Sequence, residues 1–222
     1  MTTAIILAAG KSERMGNGVD KAFLSLVDKP VVAWSLLAFE RCADIDRIVL
    51  VVRKDQLIAA KAVVRMFGIS KLDKIVAGGQ KRQESVQTGL AACDLDTRCV
   101  VIHDAARPLV TSELVSEVVQ AVKKTPAVTV GRPMTDTVKL CEKAQTVTKT
   151  VERAGLWTVQ TPQAFQMKEL RAAYKNLKAK DVTDDCMAVE LNGGTVKIVS
   201  SLKPNVKITT AEDLQVVSAL LK

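Results

Sequence analysis

Residues 4 to 16 read AIILAAGKSERMG: an apolar run enters Ala8-Ala9-Gly10 and then a polar stretch with Lys11 and Arg14, followed by Lys21. Small residues let backbone amides approach a ligand closely, and cations on the same connection add positive charge, which together describe a polyphosphate cradle. It is neither of two familiar glycine-rich loops. A P-loop needs four residues between its glycines and then Lys-Ser/Thr, whereas five residues separate Gly10 from Gly16 and Asn17 follows. The dinucleotide fingerprint, started at Gly16-Asn17-Gly18, needs a third glycine where the chain has Lys21. The plainer alternative is a strand-to-helix loop with solvated cations.

Further along, AGGQKRQES carries Gly78, Gly79, Arg82 and Ser85, HDAARP carries Asp104 and Arg107, and later segments add Thr183, Asp184 and Lys207. Many cations beside few carboxylates suit the phosphate groups of two substrates. Asp104 is placed to hold a ribose hydroxyl or a Mg²⁺ carried in by a nucleotide, since magnesium takes one or two protein carboxylates beside phosphate oxygens. Alternatively, Asp104 and Arg107 form a structural pair, and Gly78-Gly79 a plain tight turn.

Composition removes other chemistries. His103 is the lone histidine, so multi-histidine metal sites are impossible within one chain, and no G-x-S-x-G elbow accompanies it. The cysteines, Cys42, Cys93, Cys99, Cys141 and Cys186, are odd in number and lack a C-x-x-C pair. That argues against a disulfide framework and a zinc site. A formal charge of +8 fits nucleic acid or an anionic small substrate, but aromatics are 3% of residues and no basic arm stands out. There is little here to stack bases, and Lys123, Lys124, Lys175, Lys178 and Lys180 read as solvated helix faces. No stretch approaches the ~20 apolar residues of a membrane span, and no export signal opens the chain. The expectation is a cytoplasmic protein binding neither nucleic acid nor membrane.

The elements that must position these residues alternate. Val- and Ile-rich runs at Ala4–Leu7, Arg47–Val52, Lys74–Val76 and Cys99–His103 are interleaved with helical patterns at Val31–Arg41, Gln56–Phe67, Glu84–Ala92 and Ser112–Lys124. This predicts an α/β fold, a mostly parallel sheet covered by helices. RIVLVV and CVVIH lack period-two polarity, as strands buried on both faces should. Ser112 and Asp184 are candidate helix starts. After Ala127–Val130, Gly131 to Phe165 reads as a β-hairpin around a polar CEKAQ turn, which either folds back or projects as an arm onto a second copy. Helices Met167–Leu177 and Asp184–Leu191, a strand at Thr195–Ser200, the stretch NVKIT and a helix Ala211–Leu221 complete one domain spanning 1–222.

The fragments LAAGKSERMG, DKAFL, GGQKRQESVQTGL, HDAARPLV, DTVK, VERAGLWTVQTPQAF, TDD and NVKIT, in this order along nearly the whole chain, resemble the 2-C-methyl-D-erythritol 4-phosphate cytidylyltransferases. The resemblance implies a Rossmann-like three-layer nucleotidyltransferase fold with a protruding β-arm at about 132–156. It implies CTP and a polyol phosphate as substrates, Mg²⁺ as cofactor, and a homodimer through the arm. Residue by residue it implies Arg14, Lys21 and Lys207 as catalytic cations. Ala8, Ala9, Gly10, Gly78, Gly79, Ser85 and Asp104 would bind the nucleotide, with Asp104 also at the metal. Ala105, Arg107, Thr161 and Thr183 would meet the second substrate, with Thr137 and Arg153 reaching it from the neighbouring subunit's arm. Two departures stand out. The family's Pro-Lys-Gln is Asp20-Lys21-Ala22 here, which predicts a looser loop and weaker nucleotide binding, and its TD-acid-Ala is Thr183-Asp184-Asp185-Cys186. The alternatives are transfer to ribitol 5-phosphate and a non-catalytic nucleotide- or nucleic-acid-binding protein.

Overall fold

The computed structural model describes residues 1–10, 20–177 and 180–222; Lys11, Arg14 and Lys178 lie outside them. In chain order the elements are β1 (Thr2–Ala8), β2 (Ser25–Leu26), β3 (Lys29–Pro30), α1 (Val31–Arg41), β4 (Arg47–Val52), α2 (Leu57–Met66), β5 (Leu72–Ala77), α3 (Arg82–Ala92), β6 (Cys99–Asp104) and α4 (Ser112–Val122). They continue with β7 (Ala127–Pro133), β8 (Val138–Cys141), β9 (Val147–Val151), β10 (Trp157–Gln166), α5 (Met167–Asn176), α6 (Asp185–Leu191), β11 (Val196–Ser200) and α7 (Ala211–Leu220).

A seven-stranded sheet runs β11-β7-β10-β6-β1-β4-β5. Every pairing in it is parallel except those of β10, which runs against both β6 and β7. Alternate residues of a strand face opposite sides, and β1 makes both sides core: Ala4, Ile6 and Ala8 pack with α1, α2 and α4, while Ile5 and Leu7 pack with α3, α5 and α6. The same split divides Ile48, Leu50 and Val52 from Val49 and Val51. Burying each such side chain is worth about 1.5–3 kcal/mol, which is why RIVLVV and CVVIH carry no polar alternation. Register then aligns the strand ends, with Ala8 opposite Val52, Val52 opposite Ala77 and Leu7 opposite Asp104. One rim therefore collects the loops after β1, β5 and β6.

The stretch from Gly131 to Phe165 is two structures. Its base, β7 with β10, belongs to the central sheet. Its tip, β8 with β9, is a separate antiparallel pair whose residues are mostly exposed. The starts of α4 and α6 are capped by side chains: Thr111 Oγ1, one residue before Ser112, accepts from Leu114 N–H, and Asp184 Oδ1 accepts from Met187 N–H at 2.9 Å. Among the described residues no helix is long and apolar enough to cross a membrane.

The last helix matters because it anchors the segment bearing Lys207. Val217 of α7 shares a small cluster with Leu26, Val31 and Ile208, and Ile208 N–H donates to Ala106 C=O at 2.8 Å. Asp213 Oδ2 accepts from the Thr209 and Thr210 amides at 2.8 and 2.9 Å and from the Thr209 hydroxyl, while Thr210 Oγ1 receives Asp213 N–H. This reciprocal capping box holds the Asp213 carboxyl below its ordinary range, chiefly through the Thr209 hydrogen bond. A carboxylate whose pKa is lowered by folding stabilises fully above its unfolded value, about 3.9, and loses that contribution as pH falls from there through the lower folded value. Asp213→Asn should therefore be less stable than wild type at pH 7 by thermal melting, and the difference should begin to narrow below about pH 4 and vanish under the folded value. An unchanged difference at low pH would remove the carboxylate from the cap.

Candidate active site

The rim cavity is lined by Ala8, Ala9 and Gly10 from the end of β1, Asp20 and Lys21, Gly79, Arg82 and Ser85 around the start of α3, Asp104 and Ala105 from the end of β6, and Lys207. Its walls need small residues. A Cβ on Gly78 would stand 2.6 Å from Ala9 Cβ and from Ser85 Oγ, and one on Gly79 would stand 2.4 Å from Glu84 Cβ. Neither distance is tolerated, so the loop after β5 closes directly on the loop after β1. Ser85 Oγ also accepts Gly79 N–H at 3.2 Å, and Glu84 Oε2 accepts the Gln80 and Lys81 amides.

Asp104 is the electrostatic centre. It is buried at the end of β6, with Lys207 Nζ donating to Oδ2 at 2.6 Å and Arg82 Nε to Oδ1 at 3.3 Å. Burial alone would raise its pKa; the charges of Arg82 and Lys207 and the Lys207 hydrogen bond outweigh burial and hold the carboxyl well below its usual range. Arg82 is itself gripped from the other side. Its Nη2 is 2.8 Å from Oδ2 of Asp185, a carboxylate without exposed surface, and Tyr174 Oη donates to Asp185 Oδ1 at 2.6 Å. Burial works against the Arg82 charge, yet Asp185 and Asp104 more than restore it and raise its pKa. Burial, then the Asp185 charge, keeps the Tyr174 phenol protonated.

A second network orders the loop after β6. Arg107 C=O can only accept, so His103 Nε2–H donates to it at 3.2 Å. The other ring nitrogen, Nδ1, then accepts from the Thr161 hydroxyl at 3.2 Å, and Thr161 Oγ1 accepts Asp104 N–H at 3.0 Å. Burial pushes the His103 pKa down to about 3, so the imidazole is neutral, as this relay requires. Arg107 Nη1 donates to Asn205 C=O at 2.7 Å, and Asn205 Nδ2 to Thr161 C=O at 2.8 Å.

Of the residues expected from the sequence, Ala8, Ala9, Gly10, Lys21, Gly79, Ser85, Asp104, Ala105 and Lys207 converge on one cavity, with Gly78 packed behind it. Asp104 is paired with Arg82 and Lys207 rather than with Arg107. Thr161 is buried with its hydroxyl proton committed to His103, and Thr183 is exposed beside Met187 Sδ. Thr137 and Arg153 lie exposed on the hairpin arm, outside the residues lining this cavity. Arg14 falls outside the described residues. Asp185 and Tyr174 were not anticipated, although DCMAVEL held a signal: Asp185 shares a helix face with buried Ala188 and Val189, and an acid on an apolar stripe needs a buried partner.

The loop departure has its own geometry. Asp20 Oδ1 accepts Ala22 N–H at 3.1 Å and Asp20 C=O accepts Phe23 N–H at 3.1 Å, capping a 3₁₀ turn over Lys21–Phe23. Asp20 Oδ2 is buried without a hydrogen-bond partner. Among the described residues no group of three His, Cys, Asp or Glu converges as a metal cage. Two carboxylates on the cavity, Asp104 and Asp20, nevertheless fit a magnesium ion that takes most of its ligands from phosphate and water.

A family model described as 2-C-methyl-D-erythritol 4-phosphate cytidylyltransferase (IspD) matches residues 2–222. The chain is 40% identical over 224 residues to the protein of that name from Alkaliphilus oremlandii, covering 100% of this chain and 95% of the relative. To the one from Pelotomaculum thermopropionicum it is 42% identical over 222 residues, covering 99% and 93%. Among solved structures, the 4-diphosphocytidyl-2C-methyl-D-erythritol synthase of Anaerococcus prevotii superposes with a TM-score of 0.88 at 32% identity, covering 100% of this chain and 96% of that one. The Thermus thermophilus 2-C-methyl-D-erythritol 4-phosphate cytidylyltransferase gives 0.81 at 27%, covering 98% and 97%.

The Thr161 hydroxyl serves two buried partners at once. Thr161→Val keeps the shape and strands the Asp104 amide, which should cost about 1–3 kcal/mol. Thr161→Ser, which keeps the hydroxyl, should lose less. Urea midpoints of the two variants check this, and a loss confined to the Ser variant, with Val as stable as wild type, would mean that the methyl group, not the hydrogen bonds, holds the loop.

Proposed function

The chain belongs to the 2-C-methyl-D-erythritol 4-phosphate cytidylyltransferase family, and from that premise we propose how its own residues carry the reaction. It is a nucleotidyltransferase that transfers CMP from CTP to 2-C-methyl-D-erythritol 4-phosphate, giving the CDP-alcohol and pyrophosphate. The matches favour neither ribitol 5-phosphate transfer nor a non-catalytic nucleic-acid-binding role. The observation that carries the site assignment is the convergence of Lys21, Arg82, Lys207 and Asp104 beside the small-residue turn Ala8-Ala9-Gly10.

The 4-phosphate oxygen of the polyol attacks the α-phosphorus of CTP in line with the departing pyrophosphate, forming one P–O bond as another breaks. A phosphate monoester is largely dianionic at neutral pH, its second pKa being about 6, so no side chain has to remove a proton. That agrees with the state of His103, which is neutral, buried and occupied in the relay. The protein's task is positioning and charge stabilisation. In this reading the amides of Ala8, Ala9 and Gly10 and the Gly78-Gly79 turn accept the nucleotide, and Asp104 holds its ribose hydroxyl. Asp104, with Asp20 nearby, would hold Mg²⁺ brought in on the triphosphate, where a divalent ion neutralises charge on the phosphate oxygens. Lys21 and Arg14 would face the triphosphate, and Lys207 the α-phosphate or the incoming phosphate. Ala105, Arg107, Thr161 and Thr183 would shape the polyol side, Thr161 and Arg107 through the backbone that they hold.

The homodimer belongs to the same proposal. The arm carries exposed Leu140 and Val147 at its tip, with exposed Trp157 and Val159 at its base, and a two-stranded hairpin is marginal by itself. Packing it on a second copy would cover these groups and bring Thr137 and Arg153 to the partner's polyol phosphate.

The deciding assay is pyrophosphate release from CTP and Mg²⁺ with methylerythritol 4-phosphate or ribitol 5-phosphate offered separately. Release with the first alone is expected, and release only with ribitol 5-phosphate would replace the polyol. Lys21→Ala should lose roughly 10²–10³ in kcat, as when one preorganised donor to developing charge is removed, with a smaller change in KM. Near-normal turnover by that variant would remove Lys21 from the reacting phosphate.

A further inference from the structure

Asp104 holds two cations of different standing. The two cations are similarly exposed, Lys207 37% and Arg82 30%, but exchanging Asp104 Oδ2 for a substrate phosphate oxygen at Lys207 leaves Asp104 with Arg82 and no buried charge alone. Arg82 cannot make that exchange. Between Asp104 Oδ1 and Asp185 Oδ2, its departure would strand the Asp185 carboxylate, which has no exposed surface and would keep the Tyr174 hydroxyl as its side-chain partner among the described residues. A buried pair broken on one side is far more costly than an exposed one.

We infer that Asp185, oriented by Tyr174, is a positioning residue for the nucleotide site, acting through Arg82. It makes Arg82 the permanent counter-ion of Asp104 and leaves Lys207 as the exchangeable one. When phosphates draw Lys207 away, Asp104 stays in place, still paired, with Oδ2 released for the ligand. The elements carrying this chain are remote in sequence: Tyr174 from α5, Asp185 from the first turn of α6, Arg82 from the first turn of α3, and Asp104 from the end of β6. The docking of α5 and α6 on the sheet is thereby coupled to the geometry of the substrate rim. The inference rests on the cytidylyltransferase reading of that rim.

The test compares wild type, Asp185→Asn, Asp185→Glu and Tyr174→Phe in full-length protein. Folding is followed by circular dichroism and melting, CTP binding by calorimetry, and KM and kcat by pyrophosphate release. Wild-type release from CTP and methylerythritol 4-phosphate tests the underlying reading separately. Given that activity, Asp185→Asn should remain folded with Kd and KM for CTP raised about tenfold and kcat changed less than about threefold, because a binding group has lost its support. Asp185→Glu, keeping the charge, should recover most of the affinity. Folded Asp185→Asn with wild-type CTP affinity would overturn the inference, as would equal weakening in the Asn and Glu variants, which would indicate packing rather than charge. If Asp185→Asn does not fold, Tyr174→Phe decides: KM for CTP should rise about two- to fivefold, and an unchanged KM in that folded variant would overturn the inference.

Discussion

A single buried carboxylate sets the terms for the rim of this sheet. Asp104 ends β6 after Val100, Val101, Ile102 and His103, all fully buried, and an ion at that depth is tolerable only if charge and hydrogen bonds surround it. Its amide goes to Thr161, its oxygens go to Arg82 and Lys207, and Arg82 is in turn neutralised by Asp185. Acid and base alternate from Asp185 to Lys207. The elements supplying them are far apart in sequence, so the fold must assemble before any of these charges is satisfied. The basic composition then has a local meaning: the rim concentrates cations that one carboxylate holds in position.

Strand direction explains how so many segments reach one place. Parallel strands β1, β4, β5 and β6 end on the same edge, which is where ligands bind on open α/β sheets. Running backwards between β6 and β7, β10 brings the start of its buried half, Thr161 and Gln163, to that edge as well. Thr161 fastens the loop after β6. Gln163 Nε2 donates to Thr129 Oγ1 and to Asp184 Oδ2 at 3.0 and 2.7 Å, while Asp184 caps α6. One reversed strand thus locks both the Asp104 loop and the helix that carries Asp185.

Sequence patterning reached the strands and most helices because burial on both faces leaves a local trace: Arg47–Val52 is read from RIVLVV alone, and Val31–Arg41 from its apolar spacing. The expected start of α4 at Ser112 is where the helix begins, with Thr111 as its cap, while the strand around Lys74–Val76 extends to Leu72–Ala77. The division of Gly131–Phe165 into a sheet strand and a separate tip was not legible, since Thr-Val alternation fits either. At the site, the small residues and cations on the rim were visible as motif fragments. Their partners were not: Arg82 with Asp185, and His103 with Thr161, are long-range pairs that only the strand order creates. The resemblance implied Thr161 as a substrate-side residue; the structure adds that its hydroxyl donates to His103 and accepts the Asp104 amide.

The turn from Asp20 to Leu24 shows the local geometry of the loop departure. Replacing a rigid Pro-Lys-Gln approach with Asp20-Lys21-Ala22 removes a fixed φ, and the sequence alone suggests a looser Lys21 with an unhelpful negative charge beside it. Asp20 answers the first point as an N-cap. Its carboxylate takes the Ala22 amide, and the turn runs on through Leu24, whose carbonyl accepts Val31 N–H at 3.0 Å. The charge remains, and it is costly there: burial raises the Asp20 pKa more than the Ala22 amide and Arg53 lower it. A buried oxygen left without a hydrogen-bond partner is then the physical consequence of exchanging covalent rigidity for a hydrogen-bonded turn.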